Sequence, residues 1–240
     1  MKNILITAGG TSEPIDGIRS ITNTGTGKLG SLIADCLAKS EQTGKVFYIH
    51  AVNAVLPQSE KVKLIPVQST DDLEKAVRKL CSEEKIDVVI HSMAVSDYTV
   101  RAVVDAETLE RSGKSNVLEV FDNEDFRRRY HKLPSSMKNP VILLKQTPKI
   151  LPMFREFLPD AIIVGFKLLD NVSHEELIET AHRLLVNNKC DYVLANDYQT
   201  VKAGNHEGFL IDAEKNERRS IGKQAIAECI SETVLSEGKI

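Results

Sequence analysis

The chain has 240 residues, 42% hydrophobic and 27% charged, the balance of a soluble globular protein built as one large domain or one domain with a protruding subdomain. A net charge of −3 gives no support for general nucleic-acid or anionic-membrane binding. No run approaches the roughly 20 apolar residues of a membrane span and the N-terminal apolar run is too short for a signal peptide, so the expected location is cytoplasmic. Cys36, Cys81, Cys190 and Cys229 form no CxxC and have no histidine at zinc-ligand spacing. They predict buried reduced thiols and no structural metal.

Ile4-Leu5-Ile6-Thr7 predicts a buried strand, and Leu29, Ile33 and Leu37 at helical spacing predict a helix from near Gly27. The joint between them is about twenty residues long where about 2–6 is usual, and it carries Gly9, Gly10, Gly17, Gly25, Gly27 and Gly30. Backbone N–H groups bared by glycine beside a helix N-terminus make an anion site. Further strands are predicted over residues 46–52 and 62–67, then a helix capped by Ser69, with Asp71 and Asp72 in its first turn and Leu73, Val77 and Leu80 on its buried stripe. Residues 86–91 predict a fourth strand, and Ser92-Met93-Ala94-Val95-Ser96-Asp97-Tyr98 leaves its carboxyl end. This order argues an α/β, doubly wound, mostly parallel, Rossmann-like sheet.

Residues 99–139 break the rhythm, with Arg127-Arg128-Arg129, scattered acids and no apolar period. Such a stretch is either a solvated insertion or a flap over a site. A strand is then expected at 141–144, a helix starting at Thr147-Pro148 with the proline in its first position, and a strand at 161–167. Ser173-His174-Glu175-Glu176 has capping-box form and opens a helix to about residue 188. A strand over 191–197, an antiparallel edge hairpin turning at Glu214-Lys215-Asn216-Glu217, and a helix over 221–235 close the chain.

Three short patterns fail on context. Gly25-Thr26-Gly27-Lys28-Leu29-Gly30 matches the dinucleotide fingerprint, but its strand ends many residues earlier and the second strand closes without an acid for a ribose. Leu29 stands where a Walker A motif needs a hydroxyl. Tyr198 and Lys202 have the spacing of a short-chain dehydrogenase pair but are expected in a loop. A nicotinamide-dependent dehydrogenase and a non-catalytic nucleotide-binding module remain the rival readings.

The joint as a whole, Gly9-Gly10-Thr11-Ser12-Glu13-Pro14-Ile15-Asp16, then Arg19-Ser20-Ile21-Thr22-Asn23, then Thr26-Gly27-Lys28-Leu29-Gly30, resembles the opening of phosphopantothenate–cysteine ligases. Ala94-Val95-Ser96-Asp97-Tyr98, Lys132-Leu133-Pro134-Ser135-Ser136, Leu144-Lys145-Gln146-Thr147-Pro148-Lys149-Ile150-Leu151, Gly165-Phe166-Lys167 and Ala195-Asn196-Asp197 follow in family order. The resemblance covers nearly the whole chain. It is closest to the stand-alone bacterial form, without the flavin-dependent decarboxylase often fused in front.

The resemblance implies one ligase domain over 1–240 with a flap and dimerisation insertion at about 99–140. It implies a homodimer acting on phosphopantothenate and L-cysteine with CTP, or ATP, as co-substrate and Mg²⁺ on the triphosphate, with no metal-ligating residue assigned. Asn23, Lys132 and Asp97 are the implied catalytic residues. Asn23 bears on turnover of the acyl intermediate, although Thr-Asn-Thr-Gly is also turn chemistry. Lys132 is the flap lysine facing the phosphates; Lys114 competes for that role, and Lys132 is preferred because Ser135-Ser136 and the next strand keep family register. Arg19, contributed to the neighbouring subunit, with Met93 and Ala94 binds the pantothenate substrate. Gly9, Gly10, Thr11, Ser12, Thr26, Gly27, Lys28, Pro148, Lys149, Ile150, Leu151 and Phe166 form the nucleotide site. The helix lysines that some members use to hold triphosphate have Leu184 and Asn187 near their places, with Arg183 and Lys189 as substitutes.

Overall fold

The structure is a computed structural model that describes residues 1–112, 117–122, 131–202 and 204–236. Lys114 and the Arg127-Arg128-Arg129 run lie outside the described residues.

An eight-stranded sheet has the order β12-β11-β10-β9-β6-β1-β4-β5. Its parallel members are β1 (Lys2–Ala8), β4 (Thr43–Ala51), β5 (Val62–Val67), β6 (Val88–His91), β9 (Ile162–Leu169) and β10 (Tyr192–Asp197). The antiparallel edge pair is β11 (Glu207–Ile211) and β12 (Glu217–Ile221), the predicted hairpin. The pleat sends alternate side chains to opposite faces. Leu5, Val89 and Ile163 join one core with α2 (Thr70–Glu83), α5 (Ile150–Phe157) and α6 (His174–Asn188). Ile4, Ile6, Val88 and Ile90 join the other with α1 (Lys28–Ala38) and α8 (Lys223–Ser236). Both faces are covered, so the central strands are continuous apolar runs. Helix α2 starts as expected, with a full Ser69–Asp72 capping box, and Ser173 caps α6 by accepting from the Glu176 N–H.

Several expectations change. The long joint is not all loop: β2 (Ser12–Pro14) and β3 (Ser20–Thr22) pair antiparallel within it. The strand at 141–144 belongs to β8 (Pro140–Gln146), which stays out of the main sheet and pairs with β7 (Tyr98–Asp105) in a two-stranded ribbon. Val141, Ile142 and Leu143 are only half-buried and Leu144 is exposed, unlike the buried residues of β6, and the β-branched run of β7 offers the antiparallel partner. Two short helices, α3 (Ala106–Arg111) and α4 (Val117–Asp122), follow β7. Pro148 is not the first residue of α5; Lys149 is its N-cap. The Thr147 hydroxyl donates to the Ser96 carbonyl at 2.5 Å instead of capping a helix, so the helix starts after it. Tyr198 and Lys202 sit in α7 (Tyr198–Lys202), not in a loop. All four cysteines are free, but only Cys190 is buried; Cys36, Cys81 and Cys229 are half-buried. Among the described residues no helix is long and apolar enough to cross a membrane.

Candidate functional site

Strand β1 has β4 on one side and β6 on the other, so the chain reverses its direction of sheet building there. Ligands of doubly wound sheets bind in the crevice that opens at the carboxyl ends of such strands. A cleft of about 760 Å³ lies there, walled by residues 23–30, by Ser92 to Val95 after β6, by Phe166 to Leu168 of β9, and by Asn196 at the end of β10.

The wall nearest β1 is knitted by backbone bonds. The Ala94 N–H donates to the Gly9 carbonyl at 2.8 Å, and the Ala94 carbonyl accepts from the Thr11 N–H at 3.1 Å and from Asn23 Nδ2 at 3.0 Å. Asn23 also donates its own N–H to the Thr11 carbonyl. A Cβ on Gly10 would lie 2.2 Å from the Asn23 carbonyl oxygen, so only glycine lets these two segments meet. Thr11 is buried, and its Oγ1 accepts from the Ser96 N–H at 2.9 Å. Ser12 bonds Thr22 across the small hairpin at 2.7 Å. Met93 is buried beneath this wall while Ala94 is exposed at its surface.

Helix α1 points its N-terminus into the cleft. Its cap is Gly27 at φ +72°, a left-handed position that makes no side-chain cap bond; the Lys28 N–H donates to Thr26 Oγ1 at 3.4 Å, and the first turn holds no acid. Lys28, Lys167 and Lys223 also line the cleft. Among the described residues no carboxylate lines it and none pairs with those three lysines. Uncapped helix N–H groups, bared glycine backbone and three cations together make a receptor for a polyanion.

Of the residues singled out from sequence, Gly9, Asn23, Thr26, Gly27, Lys28, Met93, Ala94 and Phe166 line this cleft. Gly10, Thr11 and Ser12 build its wall from behind. Asp97 is exposed and pairs with Lys149 at 2.5 Å, while Ile150 and Leu151 pack into the core at the start of α5. Pro148 is exposed just before that helix.

Arg19 and Lys132 stand elsewhere: Arg19 on the turn between β2 and β3, Lys132 in the segment 131–133 bound to that turn. Arg19 donates from Nε and Nη2 to Asp16 Oδ2 at 3.0 and 2.5 Å, and from Nη2 to the Leu133 carbonyl at 3.1 Å. The Leu133 N–H donates to Asp16 Oδ2 at 2.8 Å and the Gly17 N–H to the His131 carbonyl at 2.9 Å. The exposed Lys132 is therefore clasped onto the Arg19 turn. The Arg19 guanidinium and then the Leu133 N–H hold the Asp16 carboxyl well below the usual carboxylate range.

The far wall holds residues that sequence reasoning did not place in the site. Lys167 and Asn196 stood inside motifs already noted, Gly165-Phe166-Lys167 and Ala195-Asn196-Asp197. His206 and Lys223 carried no signal, because only the return of the edge hairpin brings them beside Asn196.

A doubly wound sheet whose switch point opens into a glycine-edged, cation-lined cleft defines an anion-binding α/β protein. The chain belongs to the DNA/pantothenate metabolism flavoprotein C-terminal domain family, which it matches over residues 1–130 and 124–237. The coenzyme A biosynthesis bifunctional protein CoaBC of Thermococcus kodakarensis is 30% identical over 210 residues, covering 88% of this chain and 45% of the relative. The chain thus spans about half the length of the curated relatives it matches, 45% and 50% for two archaeal CoaBC proteins. A crystal structure described as the DNA/pantothenate metabolism flavoprotein from Streptococcus pneumoniae superposes with a TM-score of 0.86 at 32% identity, covering 98% of both chains. Cab2, solved as a variant in complex with phosphopantothenate-cysteine, shares the fold at a TM-score of 0.67 and 18% identity, covering 98% of this chain and 85% of its own.

Proposed function

We propose that this chain is a phosphopantothenate–cysteine ligase of coenzyme A biosynthesis that works through an acyl-nucleotidylate. The observation that carries this reading is the cleft itself: lysines and uncapped helix N–H groups without a carboxylate, and Asn23 fastened to Ala94 at its edge. Family membership supports it.

In this reading the phosphopantothenate carboxylate attacks the α-phosphate of CTP, with ATP as the alternative, and pyrophosphate leaves. The cysteine amine then attacks the acyl carbon, the nucleoside monophosphate departs, and an amide remains. A carboxylate needs such activation because its own leaving group would be oxide. The helix α1 N-terminus with Lys28, Lys167 and Lys223 offsets the phosphate charge. Asn23 is uncharged and donates to the developing oxyanion without forming a competing ion pair. Mg²⁺ travels on the triphosphate as part of the co-substrate, since the lining carries no carboxylate to hold it and no group of the described residues forms a metal-binding cluster.

Arg19 and Lys132 act in a homodimer, each hairpin reaching the cleft of the second copy; the bonds that hold the Lys132 segment to the Arg19 turn, with both residues away from their own cleft lining, support this arrangement. Residues 99–140 then form the insertion that carries the flap lysine within a single 1–240 ligase domain.

The test is pyrophosphate release from CTP, and separately from ATP, with phosphopantothenate and cysteine, and mass spectrometry of the product. Release that requires phosphopantothenate, with an amide product once cysteine is added, is the expected result and identifies the nucleotide. Folded dimeric protein that releases none with either nucleotide sinks the ligase, and retained CTP binding would then mark a binding module.

A further inference from the structure

Asn196 closes the far wall of the cleft and is itself 5% exposed. Its Nδ2 donates twice, to the Glu207 carbonyl at 3.1 Å and to His206 Nε2 at 3.1 Å. The carbonyl fixes which way the amide faces, because a backbone oxygen only accepts and would repel the amide oxygen after a flip. With the nitrogen so held, His206 Nε2 must accept, and an imidazole accepts there only when neutral with its proton on Nδ1. Burial, and then Lys223 beside it, hold His206 below the usual histidine pKa and so keep that neutral form. The proton has no reward of its own: Nδ1 is shut from solvent and has no hydrogen-bond partner among the described residues. A buried polar group left unsatisfied is uncommon and calls for a reason in function.

We infer that His206 is a positioning residue that holds Asn196 with both N–H groups spent, so that the cleft meets its ligand with the Asn196 Oδ1 acceptor. The complementary ligand group is a hydrogen-bond donor. Given the nucleotide-dependent reading above, on which this inference rests, the donor is a ribose hydroxyl or the exocyclic amine of the base. A cleft otherwise rich in donors and cations reads nucleoside identity through this acceptor.

Three variants carry the test: His206→Leu removes the acceptor and keeps the volume, His206→Gln places an oxygen near Nε2, and His206→Asn places one too short to reach Asn196. Nucleotide KM and kcat come from pyrophosphate release, and Kd from calorimetry with CTP alone. One neutral hydrogen bond corresponds to about a fivefold effect, so His206→Leu and His206→Asn are expected to raise KM and Kd about fivefold with kcat changed less than about twofold. His206→Gln is expected to stay close to the parent. The donor is found with 2′-deoxyCTP, 3′-deoxyCTP and UTP (or the matching ATP, deoxyATP and ITP set if ATP is the substrate). The analogue lacking it binds more weakly to the parent, and that discrimination vanishes in His206→Leu.

Folded His206→Leu or His206→Asn with parental KM and Kd, in an enzyme that turns over, overturns this inference and leaves the ligase standing. Equal losses with every analogue in parent and variant overturn it too. If His206→Leu does not fold, the contrast of Gln with Asn decides. A parent that binds neither CTP nor ATP overturns both readings.

Discussion

His91 ends β6 inside the core, its Nδ1 2.7 Å from Thr7 Oγ1 and its ring 5.3 Å from that of Phe154. Burial pushes its pKa down to about 4. Protonation therefore favours the unfolded chain: stability from this group is complete above about 6.5, where an unfolded histidine titrates, and is lost as pH falls from there toward 4. The loss is up to about 3 kcal/mol. Urea unfolding at pH 7 and pH 5 is expected to show a drop that His91→Gln, neutral throughout, largely removes; an unchanged drop in that variant would refute the assignment. Gly10 supplies a second case, since the atoms a Cβ would strike are the backbone of Asn23, which cannot rotate away. Gly10→Ala is expected to cost about 1–3 kcal/mol and, by displacing Asn23 from Ala94, to cut activity further than the stability loss explains. Thermal melts read beside turnover check both halves.

At the scale of elements, the hairpin of β2 and β3 and the segment at 131–133 are joined through one carboxylate. Asp16 Oδ1 accepts from the Ile18 and Arg19 N–H groups while Oδ2 takes Arg19 and the Leu133 N–H. All its partners are donors, so Asp16→Asn turns an amide NH₂ against at least one of them and frees the segment. Trypsin cleavage after Lys132, followed by mass spectrometry, is expected to quicken severalfold in that variant with the β-sheet unmelted. Cleavage at the parental rate would mean that the segment is held by something else. Because Asp16 titrates well below the ordinary carboxylate range, the clasp present above that range persists as pH falls and fails only in strong acid.

At the scale of the molecule, Ile18 is 70% exposed beside Arg19, and Tyr98 and Leu144 on the β7–β8 ribbon are 51% and 41% exposed. Strand β7 packs against β2, so the ribbon lies beside the hairpin that the proposed dimer places against a second copy. Light scattering is expected to give the mass of two 26.6 kDa chains. Complementation reads the sharing of sites directly: Arg19→Ala and Asn23→Ala homodimers are each inactive, but an equal mixture after exchange regains roughly a quarter of parental activity. Half the dimers are then mixed, and one of the two sites in each has both residues intact, as symmetry requires. No recovery in a mixture shown to exchange would place Arg19 and Asn23 in the same subunit's site, or Arg19 in none.

Much of this was legible along the chain. The strands, the Ser69 and Ser173 caps, the helix start at Gly27 and the glycine-edged wall all depend on residues near one another in sequence, through periodicity, capping and the backbone freedom of glycine. The motif order carried the family in the same way. The start of α5 differs from the expectation because the partner of Thr147 is Ser96, fifty-one residues away; the strand at 141–144 forms as expected, but its apolar run is as compatible with a ribbon as with a sheet and could not say which it joins. What tertiary structure alone decided is the company each side chain keeps. It carried Lys223 and His206 to Asn196 across the edge hairpin, and tied Arg19 and Lys132 to a turn outside the cleft lining. Those pairings join residues far apart in sequence, and their energy comes from long-range burial and hydrogen bonding that no local pattern encodes.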